Sequence, residues 1–152
     1  MCLIIDANIS SIIFLPSGDT NFKCIRTALT GKRKPIAVAV YGGKLLEEYS
    51  NSVLAELEEL DRRGRARLIS NELIDKEIET VIAMGICESN DEHIIALARA
   101  GDVRLLCTDD DKLANDFKKK ALIDSPRGSV YRPRGRSNTQ TNCRRLLKKC
   151  CS

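Results

Sequence analysis

Two short runs, Cys2-Leu3-Ile4-Ile5 and Ile36-Ala37-Val38-Ala39-Val40-Tyr41, are apolar at every position. A third, Val103–Cys107, is broken only by Arg104. A strand with one wet face alternates apolar and polar residues, so runs without alternation read as strands covered on both faces. Helical patterns stand between them. Ile9, Ile12 and Ile13 mark one helix after the first run, and a second covers about 21–29, beyond the turn Pro16-Ser17-Gly18-Asp19. Thr30–Pro35 is a basic connector to Ile36–Tyr41, a central strand. Gly42-Gly43 ends that strand, and a long helical pattern follows to Arg62, with a break near Ser50–Ser52. Ala66–Ile69 is a weak strand. Asn71 caps the next helix, and Ser89-Asn90-Asp91-Glu92 reads as a capping box with Ser89 at the cap. After Val103–Cys107 a last body helix runs to about Lys119.

This alternation predicts an α/β fold: a Rossmann-like three-layer sandwich with a mostly parallel sheet. A chain of 152 residues suffices for one such core and not for two. The reading assigns 1–124 to the sheet domain and 125–152 to a basic arm with a short helix at Cys143–Cys150. Only Val130 and Tyr131 are large and apolar between Ser125 and Asn142, so that stretch is expected to be poorly ordered, with at most an edge strand at Val130–Arg132.

Charge divides the chain a little earlier, between Phe117 and Lys118. Residues 1–117 hold 14 Lys or Arg against 20 Asp or Glu, and residues 118–152 hold 11 against one, so a body of −6 carries a tail of +10. Such a tail suits nucleic-acid phosphates or an acidic protein. Three Phe, three Tyr and no Trp exclude a base-stacking surface. No run approaches the roughly 20 apolar residues of a membrane helix, and the first residues meet Asp6 too soon for a secretory leader. A cytoplasmic protein is expected. Seven cysteines, an odd number with no C-x2-C pair, argue against a closed disulfide scheme and a zinc ribbon. Cys107 and the pair Cys143/Cys150 are expected to pack in the core. Gly42-Gly43 lacks dinucleotide-loop spacing, and no G-x-S-x-G occurs.

Ligands of an open parallel sheet meet the carboxyl ends of its strands. Asp6 and the run Asp109-Asp110-Asp111 fall at such ends, Asp91 in the first turn of a helix, and Glu48 on a helix leaving the second strand. Four carboxylates gathered at one edge repel one another unless a cation joins them. Mg2+ or Mn2+ takes hard oxygen ligands and bridges carboxylates to phosphate.

Taken together, Leu3-Ile4-Ile5-Asp6-Ala7-Asn8, Leu45-Leu46-Glu47-Glu48-Tyr49, Asn90–Ala98 and Leu105-Leu106-Cys107-Thr108-Asp109-Asp110 resemble the PIN-domain family of nucleases. The resemblance spans residues 2 to about 117. It implies a Rossmann-like sheet and an endoribonuclease dependent on Mg2+ or Mn2+, in many members the toxin of a toxin–antitoxin pair and often a homodimer. By position it implies Asp6, Glu48, Asp91 and Asp110 as the catalytic and metal-holding acids, with Glu47 the alternative to Glu48 and Asp109 assisting Asp110. Asn8 and Thr108 match supporting polar positions, and His93 is expected to hydrogen-bond to the acids. RNA phosphates would be held by Lys118, Lys119, Lys120, Arg127, Arg132, Arg134, Arg136, Arg144 and Arg145. The competing reading is a non-enzymatic module that binds RNA or an acidic protein.

Overall fold

A computed structural model describes residues 2–133 and 139–151. Five strands, β1 (Leu3–Ile5), β2 (Ala39–Tyr41), β3 (Ala66–Leu68), β4 (Leu105–Cys107) and β5 (Ser129–Tyr131), form one parallel sheet in the order β3-β2-β1-β4-β5. Ile5 lies opposite Cys107, and Cys107 opposite Tyr131. The helices are α1 (Ala7–Phe14), α2 (Lys23–Thr30, after a 3-10 turn at Thr20–Phe22), α3 (Gly43–Glu48), α4 (Asn51–Arg62), α5 (Asn71–Met84), α6 (Glu92–Gly101), α7 (Asp111–Phe117) and α8 (Thr139–Cys151). Helices α1, α2, α4 and α8 pack as one set, and α5 packs on α6. The right-handed rule for parallel crossovers places most of the β1–β2–β3 connections on one face and the return from β3 to β4 on the other, while α3 at the sheet's edge meets α6. The result is the three-layer α/β sandwich expected from the unalternating runs. Leu3, Ile4 and Ile5 of the central strand are wholly buried, as are Leu105, Leu106 and Cys107 beside them.

The chain turns sharply where β2 meets α3. Gly42 has φ +150°, and a Cβ there would come within 2.7 Å of the Ile69 carbonyl oxygen, so no larger residue fits. The break expected near Ser50 is present. Tyr49 is extended, and the Ser50 hydroxyl accepts from Val53 N at 3.2 Å to start α4. Two expected caps differ. Ser70, not Asn71, caps α5 by accepting from Leu73 N at 3.4 Å. Ser89 does not cap α6, because a buried carboxylate claims it: its hydroxyl donates to Asp116 Oδ2 at 2.7 Å, and Asp91 occupies the cap position.

The edge strand expected at Val130–Arg132 is present one residue earlier, as β5, and anchors that part of the arm. β5 adds to the sheet beside β4, and Tyr131 is fully buried with its ring edge against Phe22, 5.9 Å between centroids. Its hydroxyl donates to the Asn21 carbonyl. Two apolar residues suffice because an open strand edge offers both a hydrogen-bonding partner and a cavity for the ring, which a count of composition does not register. Helix α8 begins at Thr139, a turn earlier than expected, and buries Cys143, Leu146 and Leu147 in the same core. Arg134 and Arg136 lie outside the described residues.

The cysteine reading is also corrected. Cys2 pairs with Cys151 and Cys24 with Cys143, with Cα–Cα separations of 4.7 and 6.4 Å, while Cys87, Cys107 and Cys150 are free. An odd count requires one free thiol but forbids no pair. The pairs exist because α8 runs back along α2 to the start of β1. Cys107 is the buried core residue expected, and burial pushes its thiol up to about 12. Among the described residues no helix is long and apolar enough to cross a membrane.

Candidate active site

The sheet order reverses between β1 and β4, since the chain leaves β1 toward β2 and returns to β4 on the other side. That junction is the place where a parallel sheet opens a crevice at its carboxyl edge. Asp6 follows β1 and Thr108–Asp110 follow β4, so the register puts them side by side. Asp6 N donates to the Cys107 carbonyl at 2.9 Å, closing the ladder. Thr108 Oγ1 then donates to Asp6 Oδ2 at 2.7 Å, and Asp110 N donates to Thr108 Oγ1 at 3.1 Å. The threonine hydroxyl thus links the two strand ends. The Asp110 carboxylate accepts from Leu113 N at 2.9 Å and caps α7.

Glu48 ends α3, the short helix leaving β2. Its Oε1 lies 2.8 Å from His93 Nε2, and the imidazole is only 6% exposed. The single histidine therefore meets the acidic cluster through Glu48. Asp91 stands just before α6, two residues from His93. Asn8 is exposed in the first turn of α1, and Asp109 lines a pocket of about 200 Å³ with Ile9, Asn21, Phe22, Thr108 and Pro133.

Asp6 and Asp91 both respond to the charges around them. Burial pushes the Asp6 carboxyl up, as do the charges of Asp91 and Glu48, against the Thr108 hydroxyl and the Ala7 N–H that pull it down. Burial also raises Asp91, with Asp110 and Glu48 adding to it while His93 and Lys44 oppose. Both respond to the charge of Glu48. Asp6 is 9% exposed and Glu48 36%, so the cluster is sunk at one side and open at the other.

Three residues that support the site were missed by sequence reasoning. The buried Tyr49 hydroxyl donates to the Ile5 carbonyl and pins the end of β1 next to Asp6. Its signal was a tyrosine at the break between two helical patterns. Lys44, on α3, adds to His93 in pulling the Asp91 carboxyl down. Asp116 is buried on α7 and accepts from Glu88 N, Ser89 N and Ser89 Oγ at 2.9, 2.9 and 2.7 Å, so it holds the turn that carries Asp91. Nothing in the local pattern distinguishes it from a surface acid.

Burial alone would raise the Asp116 carboxyl, yet these hydrogen bonds and that of Lys119 keep it below the usual range. Its contribution to stability is therefore present above the unfolded carboxylate pKa and lost as pH falls through the lowered folded one. Asp116→Ala strands three donors and is expected to cost about 3 kcal/mol in urea unfolding at pH 7. A loss under about 1 kcal/mol would remove Asp116 from this role.

The expected phosphate contacts are dispersed. Arg132 is tied to Asp111 Oδ1 at 2.5 Å, and Lys119 donates to Asp116 Oδ1 at 2.9 Å and the Ile86 carbonyl at 2.8 Å. Arg145 donates to Asn142 Oδ1 at 2.8 Å. Lys118, Lys120 and Arg127 are exposed in and around the α7–β5 connection, while Arg144 lies on α8.

Four hard carboxylates, partly buried and mutually repelling, have the donor chemistry that Mg2+ or Mn2+ prefers. Among the described residues no three His, Cys, Asp or Glu side chains stand close enough together to hold one ion. Comparison with family models, with curated proteins and with solved structures returns no match.

Proposed function

We propose that this chain is a metal-dependent endoribonuclease of the PIN type that hydrolyses RNA phosphodiester bonds. The observation that carries the reading is the pairing of Asp6 with Thr108–Asp110 across the switch point of a parallel sheet, with Asp91 and Glu48 in electrostatic reach. Asp6, Glu48, Asp91 and Asp110 would hold Mg2+ or Mn2+, with Asp109 assisting Asp110. When bound, such an ion activates a water and neutralises charge at the phosphate. The chain's own groups do the remaining work. Thr108 holds the Asp6 carboxylate in one orientation, and Tyr49 fixes the strand end that carries it. His93 keeps Glu48 directed at the cluster, and the buried side of the site limits the water around Asp6.

Defined single-stranded RNAs incubated with Mg2+, with Mn2+ and with chelator test this. Cleavage is expected with metal only, and Asp6→Asn should lower its rate at least about 100-fold. Cleavage that survives chelation, or that Asp6→Asn leaves at the wild-type rate, overturns the assignment.

The second reading, a binding module without turnover, is favoured by one observation: the acids are not gathered as a ligand set. It expects RNA or protein binding and no metal-dependent cleavage. An antitoxin protein and a homodimer belong to the toxin form of the first reading, and sedimentation of the purified chain tests the homodimer. A cytoplasmic site of action also belongs to it, and requires the two disulfides to persist or to be dispensable in a compartment that keeps thiols reduced.

A further inference from the structure

A cavity of about 740 Å³ lies between α2, the connector 31–35 and α8. Lys23 enters it from α2, Arg33 and Lys34 from the connector, and Arg144 and Lys148 from α8. No carboxylate lines it among the described residues, and Lys23, Arg33, Lys34 and Arg144 make no ion pair there. Three segments remote in sequence thus bring five cations to one groove. Crowded like charges raise the local positive potential and favour an anion between them. Only Arg144 of this group belongs to the residues that the sequence marked for phosphate. Lys23, Arg33 and Lys34 lie in the acidic body, where the charge count conceals them.

The arrangement of donors says what kind of anion fits. Gln140, Arg144 and Lys148 recur every fourth residue on α8, so they form one stripe with a rise of about 6 Å between successive members. Lys23 and Thr27 repeat the spacing on α2. Donors strung along two helices match a linear chain of phosphates. A compact ligand calls instead for donors converging on one point. The walls are joined, because Cys24 lines the groove and is bonded to Cys143 of α8. Gln140 Nε2 donates to the Thr20 carbonyl at 2.7 Å. Asn21 and Phe22, next in sequence to Thr20, line a second pocket with Thr108 and Asp109, and Thr108 donates to Asp6.

We propose that the groove between α2 and α8 binds the sugar–phosphate backbone of single-stranded RNA and leads it toward the carboxylate edge. The choice of RNA rests on the ribonuclease reading. With no tryptophan and few other aromatic rings in the chain, the grip is on phosphates and is independent of sequence.

The test is fluorescence anisotropy of a labelled single-stranded RNA with the full, oxidised chain in Ca2+ across a salt series. The variants are Lys23→Glu with Arg144→Glu, Arg33→Ala with Lys34→Ala, and Lys76→Glu on exposed α5 as a charge control. All the altered groove residues are exposed, and a thermal scan verifies that each variant is folded. The Lys23/Arg144 variant is expected to bind about 30-fold more weakly, and its log K against log salt to flatten by about 1.4, two contacts at roughly 0.7 each. The Arg33/Lys34 variant should flatten the slope by a similar amount, and Lys76→Glu should change neither quantity. Unchanged affinity and slope in both groove variants overturn the proposal. So does wild-type protein that ignores RNA yet binds poly-glutamate or inorganic phosphate, which would make the occupant an acidic peptide or a compact phosphate. RNA held through the groove but never cut with Mn2+ supports the groove and overturns the ribonuclease reading. RNA cut normally by the groove variants, with unchanged binding, does the reverse.

Discussion

Complete reduction of the two disulfides is expected to lower the melting temperature by about 20 °C. The bonds close loops with sequence separations of 149 and 119 residues, one nested inside the other. In the chain-entropy account the inner bond alone stabilises by about 5 kcal/mol. With it in place, the outer bond closes a loop of only roughly 30 residues and adds about 3–4 kcal/mol. The sum is close to the whole stability of a typical domain, about 5–15 kcal/mol, and for a chain of this size each kcal/mol moves the midpoint by roughly 2–4 °C. Thermal scans with and without reductant, with thiol counts by mass, measure the total. The pairs Cys24→Ser/Cys143→Ser and Cys2→Ser/Cys151→Ser divide it. Removing the inner pair should leave the outer bond worth more than it is in the wild type, because it then closes a long loop by itself. A midpoint unchanged after verified full reduction would show that packing of Leu146 and Leu147 suffices to hold α8. The same bond ties α8 to the floor of the basic groove, so reduction should also weaken RNA binding there.

Asp6→Asn is expected to stabilise the fold while ending catalysis. Burial and the charges of Asp91 and Glu48 raise the Asp6 carboxyl in the folded state. A raised carboxyl contributes stability below its unfolded pKa and loses it as pH rises through the folded one, so at pH 7 the ionised Asp6 weighs against folding. Asparagine keeps the shape, still accepts from the Thr108 hydroxyl and carries no charge. In chelator at pH 7 the variant should gain about 1 kcal/mol, within the range of stabilising substitutions at strained sites. The gain should shrink as pH falls below the carboxylate range, where the wild type is itself protonated. Addition of Mn2+ should invert the order, since an ion at 100 times its Kd stabilises the wild type by about 2.7 kcal/mol and the variant by far less. A variant less stable than wild type in chelator would mean that the Asp6 charge is needed by the fold. A wild type whose midpoint ignores Mg2+ and Mn2+ would remove the metal from the proposed function.

The layers of the fold were legible because they depend on local pattern. Leu3–Ile5, Ala39–Tyr41 and Leu105–Cys107 have no polar face to offer water, so they had to lie inside a parallel sheet with helices on both sides. The acids at the ends of those runs were legible for the same reason: a strand's last residue lies at the carboxyl edge wherever the strand is in the sheet. Their distinction from ordinary surface acids came from the joint resemblance of four segments. What the sequence could not determine concerns pairs. The strand order β3-β2-β1-β4-β5, which makes Asp6 the neighbour of Thr108, depends on how β4 returns past β1. The capture of Ser89 by Asp116, the contact of Glu48 with His93, the bonds of Cys2 and Cys24 to α8, and the meeting of Lys23 with Arg144 each join residues more than 20 positions apart. The energies of such contacts exist only once the chain has closed those loops, so no local propensity encodes them. Composition by itself pointed to a charged tail attached to an acidic body. Tertiary structure, by laying α8 against α2, made two of the tail's cations, Arg144 and Lys148, and three of the body's into a single groove.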